Sequence, residues 1–154
     1  MVIPEKFTVT AIDQVTGCPI PEVALLLELK AQRKNNYPVG PVITNGDGQA
    51  EFTREACEKA IASAQEMFVM DYAGDLQSCS PVVEIQLHSP GSIANMIRNY
   101  EAHPDFWGTP FDAPEELFAA LRNVRNSLFH HSCLTISEKD VAEHPSVTFR
   151  LSRK

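Results

Sequence analysis

His130-His131-Ser132-Cys133 puts two imidazoles and a thiol within four residues, donors that suit zinc or copper. Adjacent histidines on an extended chain project to opposite faces, and structural zinc motifs present two spaced ligand pairs, whereas no second pair is identifiable. A polar helix C-terminus, where imidazolium meets the dipole, accounts for the same residues without an ion. His130, His131 and Cys133 are therefore weak metal candidates, and no metal or other cofactor is expected. Nucleophilic catalysis needs a cysteine or serine with a histidine base. The sequence carries no G-x-S-x-G elbow, no P-loop and no G-x-G-x-x-G. A catalytic pair would have to be assembled by the fold, from one of His88, His103, His130 or His131 and one of Cys79, Cys133 or Asp105.

The segment His103 to Phe111 sets Phe106, Trp107 and Phe111 in a connection punctuated by proline and glycine. Aromatic loop residues are frequent binding anchors, and these three are the candidate binding residues, for a protein partner or a second copy in a homodimer. Plugging one end of the core is the alternative use of the same rings. Asn45-Gly46-Asp47-Gly48 offers oxygen ligands of the kind calcium takes, but Glu51 lies too near to be the last ligand of an EF-hand loop, so a turn is expected.

The 154 residues are enough for one domain with a real core. A formal net charge of −7 repels phosphate backbones, so no nucleic-acid partner is expected. No apolar run approaches the ~20 residues of a membrane span, and the start MVIPEKFTVTAID lacks the blocks of a signal peptide, so the expected location is cytoplasmic, without a membrane partner. Cys18, Cys57, Cys79 and Cys133 are scattered, and are expected to be free thiols, mostly buried.

Period-2 alternation predicts a first strand over Phe7 to Asp13, with Phe7, Val9 and Ala11 on one face. Ala24 to Leu29 is almost continuously apolar, as a central strand buried on both faces would be. Val39 to Thr44 and Gln49 to Thr53 are expected to form a hairpin around Gly46-Asp47-Gly48. Thr53 is a candidate N-cap for a short helix carrying Cys57, Ala60, Ile61 and Ala64, with strands following at Met67 to Tyr72 and Pro81 to Leu87. Ile93, Met96, Ile97 and Tyr100 mark a helix ending at His103-Pro104. Asp112-Ala-Pro-Glu115 reads as a capping box for a second helix with the stripe Leu117, Leu121, Val124 and Leu128. Cys133 to Ile136 and Ser146 to Leu151 are candidate closing strands.

The order strand, D-x-x-T-G-x-P-I turn, strand, then T-N-G-D-G-x-A-x-F resembles the front half of the prealbumin-like β-sandwich of transthyretin and the carboxypeptidase regulatory-like domains, over residues 7–89. The matching residues are Asp13, Thr16, Gly17, Pro19, Ile20 and Val23, then Thr44, Asp47, Gly48, Ala50 and Phe52. The resemblance implies that Gly17 and Gly48 make turns and that Ile20, Val23 and Phe52 face the inter-sheet core. It does not carry the family's purine-catabolic hydrolysis, since no histidine precedes His88 and the chain ends Leu-Ser-Arg-Lys rather than Tyr-Arg-Gly-Ser. Nor does it carry the internal isopeptide bond of the related adhesin repeats, because Lys6 precedes the expected first strand.

The expected fold is mainly β (α+β): a prealbumin-like antiparallel β-sandwich with a helical insertion and a C-terminal helical elaboration. One domain is expected over 1–154, with its sandwich core in 7–89 and the elaboration and closing strands in 90–154. The expected role is a non-catalytic binding or protein-interaction module. The alternative is a small hydrolase whose Cys or Asp and His meet from distant positions.

Overall fold

The computed structural model describes residues 3–31, 36–71, 82–103, 119, 121–143 and 145–154. Its strands are β1 (Lys6–Asp13), β2 (Ala24–Ala31), β3 (Asn36–Ile43), β4 (Gln49–Thr53), β5 (Val82–His88), β6 (Cys133–Ser137) and β7 (Ser146–Leu151). Helices α1 (Arg54–Asp71), α2 (Pro90–Ala102) and α3 (Glu138–Glu143) and a 3₁₀ helix (Val124–Leu128) complete the described elements. The strands make a three-stranded sheet in the order β4-β1-β7 and a four-stranded sheet in the order β3-β2-β5-β6. The protein is thus mainly β, and two sheets share one core in a sandwich-like arrangement.

The alternation read from the sequence decides what that core contains. Phe7, Val9 and Ala11 of β1 and Ala50 and Phe52 of β4 face Leu25, Leu27 and Leu29 of β2 and Ile85 and Leu87 of β5. Each large side chain removed from water stabilises the fold by about 1.5–3 kcal/mol. Ile20, Val23 and Phe52 join this core, as expected. Thr44 ties the turn residues together, its buried hydroxyl accepting from Val23 N and donating to Ile20 O. Strand β2 is buried on both faces, because Ala24 and Leu26 lie in a second, smaller core with Ile93 and Ile97 of α2 and with Leu121. That second core seats α2 on the outer face of the four-stranded sheet.

Several expectations are corrected. Strands β3 and β4 do not form a hairpin: β3 pairs with β2 and β4 with β1, so the Gly46 to Gly48 turn carries the chain from one sheet to the other. Ala50 and Phe52 thereby point into the core from the opposite sheet. Gly48, at φ +73°, is required twice over, because a Cβ there would press on Ala11 O and Ile20 N. The sandwich is not wholly antiparallel, since β7 runs parallel to β1. The chain leaves the four-stranded sheet at Ser137 and re-enters the other sheet through α3, a crossover that leaves strand direction free of the constraint a hairpin imposes.

The strand expected from Met67 is helical as far as Asp71, because Thr53 Oγ1 caps α1 by accepting from Ala56 N and no glycine or proline interrupts the following residues. Lys6 opens β1 instead of preceding it, exposed and 3.9 Å from Glu51 Oε1. The stripe Leu117, Leu121, Val124, Leu128 does not hold as one face: Leu121 is buried, whereas Val124 and Leu128 are exposed in the 3₁₀ helix, and 117 lies outside the described residues. Asn123 Oδ1 caps that 3₁₀ helix by accepting from Arg125 N. A three-residue period then turns Asn126 inward, where its Oδ1 accepts from Ala24 N and its Nδ2 donates to Leu121 O. Among the described cysteines only Cys57 is buried, so the expectation of mostly buried thiols is also corrected; these three form no disulfide.

Candidate active site

The outer face of the four-stranded sheet carries an unusual row of polar side chains below the seat of α2. Register places Leu26, His88 and Cys133 in one transverse row of β2, β5 and β6, and Glu28, Gln86 and Thr135 in the next. His88 therefore lies opposite Cys133 and diagonal to Glu28, positions whose side chains reach each other across a sheet. His88 Nδ1 is 3.2 Å from Cys133 Sγ. Its Nε2 is 3.2 Å from Glu28 Oε2, an ion-pair distance at which the ring N–H falls short of hydrogen-bond geometry. Lys30 Nζ lies 2.6 Å from the other oxygen of Glu28. Three side chains, each on a different strand, thus stand in the sequence thiol, imidazole, carboxylate.

Burial is graded along this line. The His88 and Glu28 side chains retain 9 % and 14 % exposure, so the base and acid are shielded, while Cys133 is an exposed residue whose contact with the ring is part-buried. The Glu28 carboxyl is held below its usual range chiefly by His88, with Lys30 assisting, against the opposing effect of burial. An ionised carboxylate facing Nε2 favours the tautomer with hydrogen there. The Nδ1 lone pair then faces the thiol. Burial pushes the Cys133 thiol up; the neighbouring Ser92 hydroxyl and Lys30 pull it down, and Glu28 adds to the rise. The sulfur accordingly rests as a neutral thiol beside a base, the relation a serine has to its histidine in acyl-transfer enzymes.

The start of α2 fixes the strand that bears the thiol. Ser89, the N-cap, accepts from Ser92 N and Ser132 N through its hydroxyl and donates that hydroxyl to His130 O. Ser92 Oγ donates to Ser132 O, and Pro90 occupies the first turn where no N–H is needed. Gly91 permits the approach, because a Cβ there would collide with the carbonyl oxygens of Phe129 and His130. Residues 129–132 are thus clamped to the helix immediately after His88, which sets Cys133 opposite it.

Of the described residues singled out in the sequence, His88 and Cys133 are brought together, whereas His103, His130 and His131 do not join them. His103 caps the far end of α2, exposed. His130 and His131 are exposed beside Cys133, and among the described residues no group of three or more His, Cys, Asp or Glu side chains is placed to hold a metal ion. Cys79, Asp105 and the aromatic candidates Phe106, Trp107 and Phe111 lie outside the described residues. Among the described residues Cys57 has no comparable partner, and burial raises its thiol to about 11. Glu28, Lys30 and Ser92 were missed by sequence reading; the signal for Glu28 was a carboxylate inside the apolar run ALLLELK. Among the described residues no helix is long and apolar enough to cross a membrane. Comparison with protein-family models, with curated proteins and with solved structures finds no match to this chain.

Proposed function

We propose that the protein is a small cysteine-dependent hydrolase working by acyl transfer, with Cys133 as nucleophile, His88 as general base and acid, and Glu28 as the carboxylate that orients and stabilises the imidazolium. The observation that carries this reading is the part-buried 3.2 Å approach of His88 Nδ1 to Cys133 Sγ, with Glu28 behind the ring. Cys133 Sγ forms a bond to the substrate carbonyl carbon as its proton passes to His88 Nδ1. Collapse of the tetrahedral intermediate breaks the bond to the leaving alcohol, amine or thiol, which takes that proton. Water, deprotonated by His88, then cleaves the thioester, releasing the acid and restoring the thiol.

The test is acylation by p-nitrophenyl acetate, followed by release of p-nitrophenol and by mass spectrometry of the intact protein. A burst of about one equivalent with an acetyl group on Cys133, lost in Cys133→Ala and at least about tenfold slower in His88→Asn, is the expected result. Acetylation of Cys18 at the same rate as Cys133 would contradict the proposal.

A further inference from the structure

The hydrogen-bond phase of β6 says which of its backbone groups are spent on β5. Ser89 N donates to Ser132 O at 3.0 Å, so Ser89 and Ser132 form a hydrogen-bonded pair of the antiparallel ladder. Bonded and non-bonded pairs alternate, which makes His88 with Cys133 and Gln86 with Thr135 non-bonded pairs. Non-bonded pairs bring side chains closest, in keeping with the sulfur to imidazole contact. They also turn the N–H and C=O of Cys133 and Thr135 away from β5, toward the free side of β6. Strand β6 is last in its sheet, and among the described residues no strand or loop backbone meets these four groups.

The other edges are guarded. β3 contains Pro38 and Pro41, β4 presents Glu51 beside Lys6, and β7 carries Arg150. Proline and charge are the usual devices that keep an edge from pairing. β6, Cys-Leu-Thr-Ile-Ser, has neither. Among the described residues, the edge left open is the one that begins with the nucleophile.

We infer that the substrate is an extended polypeptide segment that adds to β6 as a further strand, its backbone paired to Cys133 and Thr135 so that a carbonyl lies against Sγ. Strand addition supplies main-chain affinity with little sequence demand. This inference rests on the hydrolase reading. The experiment compares three electrophiles on the purified protein: chloroacetamide, a chloroacetyl-capped hexapeptide of alternating threonine and valine, and the same peptide with N-methylated backbone amides. In each reaction the Cys133 S–C bond forms, chloride leaves and the thiol proton passes to His88.

Docking predicts that the hexapeptide alkylates Cys133 about tenfold faster than chloroacetamide, as a few net hydrogen bonds would give, and that N-methylation abolishes the advantage. Thr135→Pro, which removes an outward N–H and spares the β5 ladder, should abolish it too. Equal rates for all three electrophiles, with chloroacetamide still dependent on His88, would overturn strand addition alone. A chloroacetamide rate indifferent to His88 would overturn the hydrolase reading beneath it. A dimer seen by light scattering and lost in Thr135→Pro would show that a second copy occupies the edge, and would overturn the substrate assignment.

Discussion

Replacing Asn126 by alanine tests how the fold holds the wall of the site. The side chain is 1 % exposed and serves two backbone groups, accepting from Ala24 N at 3.0 Å and donating to Leu121 O at 3.1 Å. Ala24 is fully buried, and Leu121 is buried in the core that seats α2, so water reaches neither group without local opening. Leaving a buried donor or acceptor unmet costs about 1–3 kcal/mol each, and partial relaxation makes the sum less than additive, so about 2–4 kcal/mol is expected for Asn126→Ala. Urea denaturation of both proteins at neutral pH measures it. Asn126→Asp supplies a control with a sign: its carboxylate can still accept from Ala24 N but repels Leu121 O, and only its protonated form can donate there. Burial raises the folded pKa of that group above the unfolded value, so its penalty is largest at neutral pH and shrinks as pH falls through the folded pKa. A loss below ~0.5 kcal/mol for Asn126→Ala would refute the reasoning, because it would mean that neither backbone group depends on this side chain.

Glu28→Gln removes the charge 3.2 Å from His88 Nε2. The bare Coulomb attraction at an effective dielectric of about 20 is ~5 kcal/mol, an upper bound for a pair that still touches solvent, so a slowing of Cys133 acylation by at least about tenfold is expected in stopped-flow assays. Gly91→Ala would drive a Cβ into the Phe129 and His130 carbonyls, so it should cost about 1–3 kcal/mol in urea denaturation and slow Cys133 acylation as the clamp loosens. Asp13 is held below its usual pKa of 3.8, first by the Arg153 guanidinium and then by the N–H groups of Thr16 and Val15. With the folded value the lower one, this contribution to stability is full at neutral pH and is lost as pH falls below about 4 through the folded pKa. Arg153→Ala should flatten that part of the stability against pH curve, which thermal unfolding at pH 3 to 6 would reveal.

How much of this was legible depended on whether a feature is local. Phe7, Val9 and Ala11 declare their face by alternation, β2 declares burial on both sides by its continuous apolar run, and Ser89-Pro90 announces the start of α2. Which strand pairs with which is not local. Val39 to Thr44 and Gln49 to Thr53 have hairpin chemistry between them, yet β3 pairs back on β2, the strand before it, and β4 pairs with β1, far away in sequence. Period alone also misled at Val124 and Leu128, where burying Asn126 to serve Ala24 N outweighed burying the leucine. At the site, His88 and Cys133 were recognisable as chemistry-bearing residues, but 45 positions separate them and only the β5 to β6 register makes them neighbours. Glu28 was hidden in plain sequence, since a carboxylate in a central strand acquires meaning only when His88 and Lys30 are seen beside it.

The central claim, that His88 takes the proton of Cys133, is tested most directly by the pH profile of Cys133 alkylation with iodoacetamide in the wild type and in His88→Asn. The account predicts that the wild-type profile carries a component at lower pH than the ionisation of a thiol that burial has raised, and that this component is absent from the variant. Superimposable profiles, both rising only with free thiolate, would contradict it.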